Sequence, residues 1–108
     1  MQAIIYEATH ATRKFDLVLN AYDTAIREGL PEGPLTGVPY PIKDISVHMK
    51  GVATGAGSRI FKEAIATEDS AIVTAYRGAG LVLFAKSNTP EFGLATVTEP
   101  VANGPTLN

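Results

Sequence analysis

The chain has 108 residues, 45% of them apolar, a formal net charge of −2 and no cysteine. That length allows one domain or a piece of one, and the missing cysteine excludes disulfides and thiolate metal sites. Charges of both signs are scattered, with no basic patch for nucleic acid, no polybasic membrane stripe and no run as long as a membrane span. The expected partner is a small molecule or another protein, and the expected compartment is the cytoplasm.

Gln2 to Tyr6 reads as a short strand, too apolar for a solvated terminus. From about Glu7 to Gly29 the pattern becomes helical: Ala8, Ala11, Phe15, Val18, Tyr22 and Ala25 step by three and four into one apolar stripe, widened by Leu19 and Ile26. Gly29 followed by Pro31 supplies the stop.

Next comes Gly33-Pro-Leu-Thr-Gly-Val-Pro-Tyr-Pro-Ile-Lys43-Asp44, a Gly/Pro turn that runs into a short strand. Period two puts Val38, Tyr40 and Ile42 on one face with Asp44, and Pro39, Pro41 and Lys43 on the other. Pro41 removes a ladder donor, which predicts an edge or a bulge there. A lysine held at a strand end between apolar neighbours is partly desolvated, which disfavours its ammonium form and lets the amine take a proton from a weak nucleophile. The same placement also fits a surface lysine snorkelling off a strand end beside its own counter-ion.

Gly51 to Ser58 is glycine-rich but has neither P-loop spacing nor a G-x-G-x-x-G pattern, so it predicts a loop needing close backbone approach rather than a phosphate cradle. Thr67 or Asp69 can cap a second helix whose buried side is Ile72, Val73 and Tyr76, and Gly78-Ala-Gly80 ends it. Leu81 to Ala85 is a continuous apolar run of the kind buried on both faces of a parallel sheet. Asn88 or Thr89 then caps a helical turn with Pro90 at its first position, before a polar coil from Thr96 to Asn108. The order of strand, helix, strand, loop, helix, strand argues for an α/β fold.

His10 and His48 have no partner at metal-ligand spacing, and Ser58, Ser70 and Ser87 lack the flanking pattern of a nucleophile elbow. Nothing in the sequence brings Asp44 and Glu91 together as a carboxylate pair. The residues alone therefore supply one credible catalytic group, Lys43, and no nucleophile.

Several blocks together resemble the amidase-signature hydrolases. They are the Gly33 to Asp44 stretch, Gly51-x-x-Thr54-x-x-Gly57-Ser58, Asp69-Ser-Ala-Ile-Val with Arg77-x-Ala79-Gly80, and Lys86-Ser-Asn88-Thr-Pro-Glu91-Phe92. Thr98-Glu99-Pro100 with Gly104-x-Thr106-x-Asn108 is similar to the lead-in to the family's serine- and glycine-rich signature. The Thr-Glu-Pro variant with Val-Pro-Tyr is similar to the branch acting on amides of aminohexanoate. Gly55 departs from the pattern, standing where the family often has a second threonine.

The resemblance implies an α/β/α fold with a mixed sheet covered by helices. It implies that residues 1–108 are the N-terminal portion of such a domain, truncated at both ends. It also implies amide hydrolysis through an acyl-enzyme by a Ser–cis-Ser–Lys relay, in which Lys43 is the lysine and both serines lie beyond Asn108. A neutral lysine would draw the proton through the bridging serine, and backbone N–H groups would hold the oxyanion. No cofactor or metal is implied.

On this reading the isolated chain is expected to be inactive and to self-associate, and Lys86, the other strand-end lysine, is expected to matter far less than Lys43. Two alternatives remain: the glutaminase component of a tRNA-dependent amidotransferase, which needs a partner protein, and a non-catalytic remnant acting as a binding module.

Overall fold

The structure, a computed structural model, describes residues 11–106, with side chains from position 19 onward. The strand expected at Gln2 to Tyr6 lies outside the described residues. Helix α1 spans Ala11–Glu28. Ala21, Tyr22, Thr24 and Ala25 are half-buried, the spacing of a single helix face, and α1 packs against strand β2 (Val82–Ser87). The apolar stripe is narrower than expected, since Leu19 and Ile26 are exposed. The Tyr22 hydroxyl donates to the Gly37 carbonyl and ties α1 to the turn that precedes strand β1.

Strand β1 (Pro39–Lys43) pairs in parallel with β2. In register, Tyr40 stands beside Leu83 and Pro41 beside Ala85, so Phe84 is the extra residue of a bulge. The bulge falls where Pro41 cannot donate, as its missing N–H requires. Beyond it the ladder resumes with Ile42 beside Lys86 and Lys43 beside Ser87, and the Asp44 N–H extends it to the Ser87 carbonyl at 3.1 Å. Leu81, Val82, Leu83 and Ala85 are buried, as their continuous apolar run predicts.

Helix α2 (Ala71–Gly78) joins the two strands, so the crossover is strand, loop, helix, strand. Its N-cap is Ser70 rather than Thr67 or Asp69. Asp69 is engaged elsewhere: it accepts the Lys50 N–H at 2.7 Å and the Arg77 guanidinium at 3.1 Å. Val73 is fully buried and Tyr76 is half-buried, but Ile72 faces outward, 45% exposed. Ile72 immediately precedes Val73, and an eight-residue helix covers the core with one narrow stripe.

Gly80, at φ +90°, lies so close to Thr36 that an added Cβ would fall 2.6 Å from the Thr36 Cα. This glycine lets the end of α2 nest against the turn before β1. The core gathers Ile42, Met49, Val52, Val73, Leu81 and Leu83 between the sheet, α2 and the loop that follows β1. After β2, a single 3-10 turn covers Glu91–Gly93, with Pro90 as its N-cap residue rather than its first helical one. Asn88 holds the coil beyond it, donating to the Gly104 carbonyl and the Thr106 hydroxyl, both at 3.1 Å.

Candidate active site

Lys43 is the last residue of β1, and register puts it beside Ser87, so both side chains leave the same face of the two-stranded sheet. Both are exposed. Ile42 and Lys86 form the adjacent pair and therefore share the opposite face, where both are buried. Asp44, two residues beyond Ile42, falls on that face as well. The alternation that separates Asp44 from Lys43 in the sequence is thus the alternation that delivers Asp44 to Lys86.

The Lys86 ammonium is 3.4 Å from Asp44 Oδ1, donates to the Val47 carbonyl at 2.7 Å and to the Thr54 hydroxyl at 3.0 Å. Three acceptors match its three N–H donors. The Asp44 carboxylate in turn accepts the Gly55 N–H, at 3.1 and 3.2 Å from its two oxygens. Burial pushes the Lys86 amine below its ordinary value, and the Asp44 charge and hydrogen bond oppose that shift. The burial that the sequence suggested for Lys43 is found at Lys86. Of the two ion pairs found among the described residues, Lys86–Asp44 and Arg77–Asp69, neither involves Lys43.

The glycine-rich stretch from Val52 to Ser58 is buried throughout and wraps this cluster. Close backbone approach is its role: a Cβ on Gly57 would fall 2.6 Å from the Thr89 carbonyl oxygen. Ser58 is buried and its hydroxyl accepts the Ile60 N–H at 3.4 Å, while Ser70 donates to the His48 carbonyl at 3.2 Å. Ser87 is placed beside Lys43 by the β1–β2 register. His48 is exposed, His10 lies outside the described residues, and no group of three His, Cys, Asp or Glu able to hold a metal occurs among the described residues. No described helix is long and apolar enough to cross a membrane.

A cavity of about 240 Å³ lies between α1 and β2, bordered by Ala21, Ala25, Leu83 and Ala85 with Met49 and Val52. Its lining includes Lys86 but not Lys43. The sequence did not reveal the Lys86 cluster, because only the register of two strands separated by some 40 residues brings Asp44, Thr54 and Lys86 together.

Strands β1 and β2 with helix α2 between them form a parallel strand–helix–strand unit of an α/β fold, with Lys43 exposed at the end of its first strand. Residues 8–108 match the model of the Amidase family, and the chain belongs to that family. It is 43% identical over 86 residues to a glutamyl-tRNA(Gln) amidotransferase chain of Cutibacterium acnes, an alignment covering 80% of this chain and 17% of that protein. It is 39% identical over 95 residues to 6-aminohexanoate-cyclic-dimer hydrolase of Paenarthrobacter ureafaciens, covering 85% of this chain and 19% of that one. Among solved structures, 6-aminohexanoate cyclic dimer hydrolase in complex with substrate superposes with a TM-score of 0.70 at 35% identity, covering 87% of this chain and 19% of that one. The chain therefore spans about a fifth of the length of these relatives.

Proposed function

We propose that residues 1–108 are the N-terminal portion of an amidase-signature domain that hydrolyses a carbon–nitrogen amide bond, and that they contribute Lys43 as the base of a Ser–cis-Ser–Lys relay. The observation that carries this reading is the division of labour at the strand ends. Asp44 is committed to Lys86 and Gly55 on one face, which leaves the Lys43 amine on the other face without the carboxylate next to it in sequence. The Lys43 side chain is thereby left clear of Asp44 to meet the serines of the relay.

In the proposed reaction the nucleophilic serine, from sequence outside residues 1–108, attacks the amide carbonyl. Its proton passes through the bridging serine to Lys43. When the C–N bond breaks, the same path returns that proton to the leaving amine, and water then releases the acyl group from the serine. Residues 1–108 alone are proposed to be inactive, since both serines of the relay come from sequence outside them. The domain acts on a small-molecule amide in the cytoplasm without a cofactor, and the isolated segment self-associates.

A second reading is favoured by the relatives. The similarity to a chain of glutamyl-tRNA(Gln) amidotransferase supports a glutaminase component that works with partner proteins. Assaying the full-length protein alone, on 6-aminohexanoate amides and on glutamine, separates the two. Turnover of the aminohexanoate amides without a partner supports the free-standing amidase, and glutamine hydrolysis that requires added partners supports the other. Absence of any amide turnover, with or without partners, overturns both.

A further inference from the structure

We propose that Lys86 is a positioning residue for Lys43, an inference that rests on the reading of Lys43 as the relay base: its buried ammonium gathers Asp44, the Val47 carbonyl and the Thr54 hydroxyl and so fixes the end of β1 from which Lys43 projects.

The geometry is specific. Lys86 sits beside Ile42 in the ladder and reaches forward past it to Asp44, the residue after Lys43. Its other two acceptors belong to the segment after β1 and to the buried glycine-rich loop, so one cation joins three stretches of chain to β2. The Asp44 main chain is also held, through its N–H to the Ser87 carbonyl. Lys43 thus lies between two fixed neighbours: Ile42, 2% exposed in the core, and Asp44, pinned at both side chain and backbone.

Stability alone does not account for this choice of residues. A buried ion pair gains little over well-packed apolar side chains of the same volume, because desolvating both charges offsets their attraction. What the charges add is a single allowed arrangement. Gly55 belongs to that arrangement: a Cβ there would stand 3.2 Å from Asp44 Oδ2 and crowd the carboxylate against the N–H it accepts.

The test is made in the full-length protein with an anilide and a p-nitrophenyl ester of one acyl group. Aniline must receive a proton as the C–N bond breaks, whereas p-nitrophenolate leaves without one, so a displaced Lys43 penalises the anilide selectively. Lys86→Met is expected to lower kcat for the anilide by about 10- to 100-fold, the scale of a displacement of about 1 Å, with KM within about twofold and the ester far less affected. Gly55→Ala is expected to shift the anilide-to-ester ratio in the same direction by less.

The double variant Asp44→Asn/Lys86→Met carries no buried charge, so it is expected to recover thermal stability while the ratio stays low. An equal loss on both substrates, or a double variant whose ratio returns to normal together with its stability, overturns the positioning role. Lys43→Arg in the same assay keeps the two claims apart. If it is inactive while Lys86→Met leaves the ratio unchanged, only the positioning role fails. If it is fully active on the anilide, the relay reading itself fails.

Discussion

The Lys86 ammonium and the Asp44 carboxylate lie 3.4 Å apart on the buried face of the β1–β2 ladder, while Lys43, the residue between Ile42 and Asp44, leaves by the other face. Two lysines at neighbouring strand ends are thereby sorted onto different faces, Lys86 buried in a polar cluster and Lys43 exposed.

Removing one member of the pair leaves a buried charge uncompensated, which typically costs about 3–5 kcal/mol. Lys86→Met is expected to destabilise by an amount toward the lower end of that range, since Asp44 keeps its Gly55 hydrogen bonds. Asp44→Asn/Lys86→Met is expected to regain most of the loss. Urea unfolding of the three proteins checks both statements through the non-additivity of the double variant.

The pH dependence of stability carries a signature of Lys86. Burial lowers its folded-state pKa below the ordinary 10.5, so the folded protein binds fewer protons than the unfolded chain as pH approaches that value. Stability from this group therefore rises with pH in the window just below 10.5, and the penalty of burying the ammonium is fully present at lower pH. Comparing unfolding free energies at about pH 8 and about pH 10 is expected to show a more favourable trend in the native protein than in Lys86→Met. Identical trends in the two proteins would contradict the buried-amine assignment.

Much of the fold is legible in the sequence because it rests on local rules. The helix ending just before Gly29, the bulge at Pro41, the buried run in β2 and the end of α2 within Gly78-Ala-Gly80 all follow from periodicity or from what proline and glycine can do. Ile72 shows the limit. Periodicity marks it as apolar, but which of two adjacent apolar residues faces the sheet depends on how α2 is rotated over the strands. The N-cap of α2 escapes local rules for a related reason: Asp69 bonds to Lys50 and Arg77, partners that only the folded chain brings near. The site divides in the same way. Lys43 can be read from one strand, whereas the Lys86 cluster requires the register of two.

Val73 and Ile72 give a direct contrast for that rotation. Val73→Ala is expected to cost about 2 kcal/mol, since the valine is fully buried, and Ile72→Ala about 0.5 kcal/mol or less. Equal costs in urea unfolding would mean that α2 is turned differently.

The loop around the cluster is tested by its glycines. Gly57→Ala combines a φ of +68° with a Cβ 2.6 Å from the Thr89 carbonyl oxygen, and about 2–4 kcal/mol of destabilisation is expected. Gly51→Ala has a similar φ of +79° but open space around it, so only about 1 kcal/mol is expected. The difference in midpoint between the two variants measures the backbone packing of the loop on Thr89.

The central claim is that Lys43 acts as a base and not as a fixed charge, and single-turnover acylation of the full-length protein by an amide substrate tests it most directly. Arginine keeps the positive charge but cannot give up its proton in this setting. Lys43→Arg and Lys43→Met are both expected to lose about three or more orders of magnitude in the acylation rate while unfolding at the same urea concentration as the native protein. Near-native acylation by Lys43→Arg would show that a cation suffices at this position and would contradict the account.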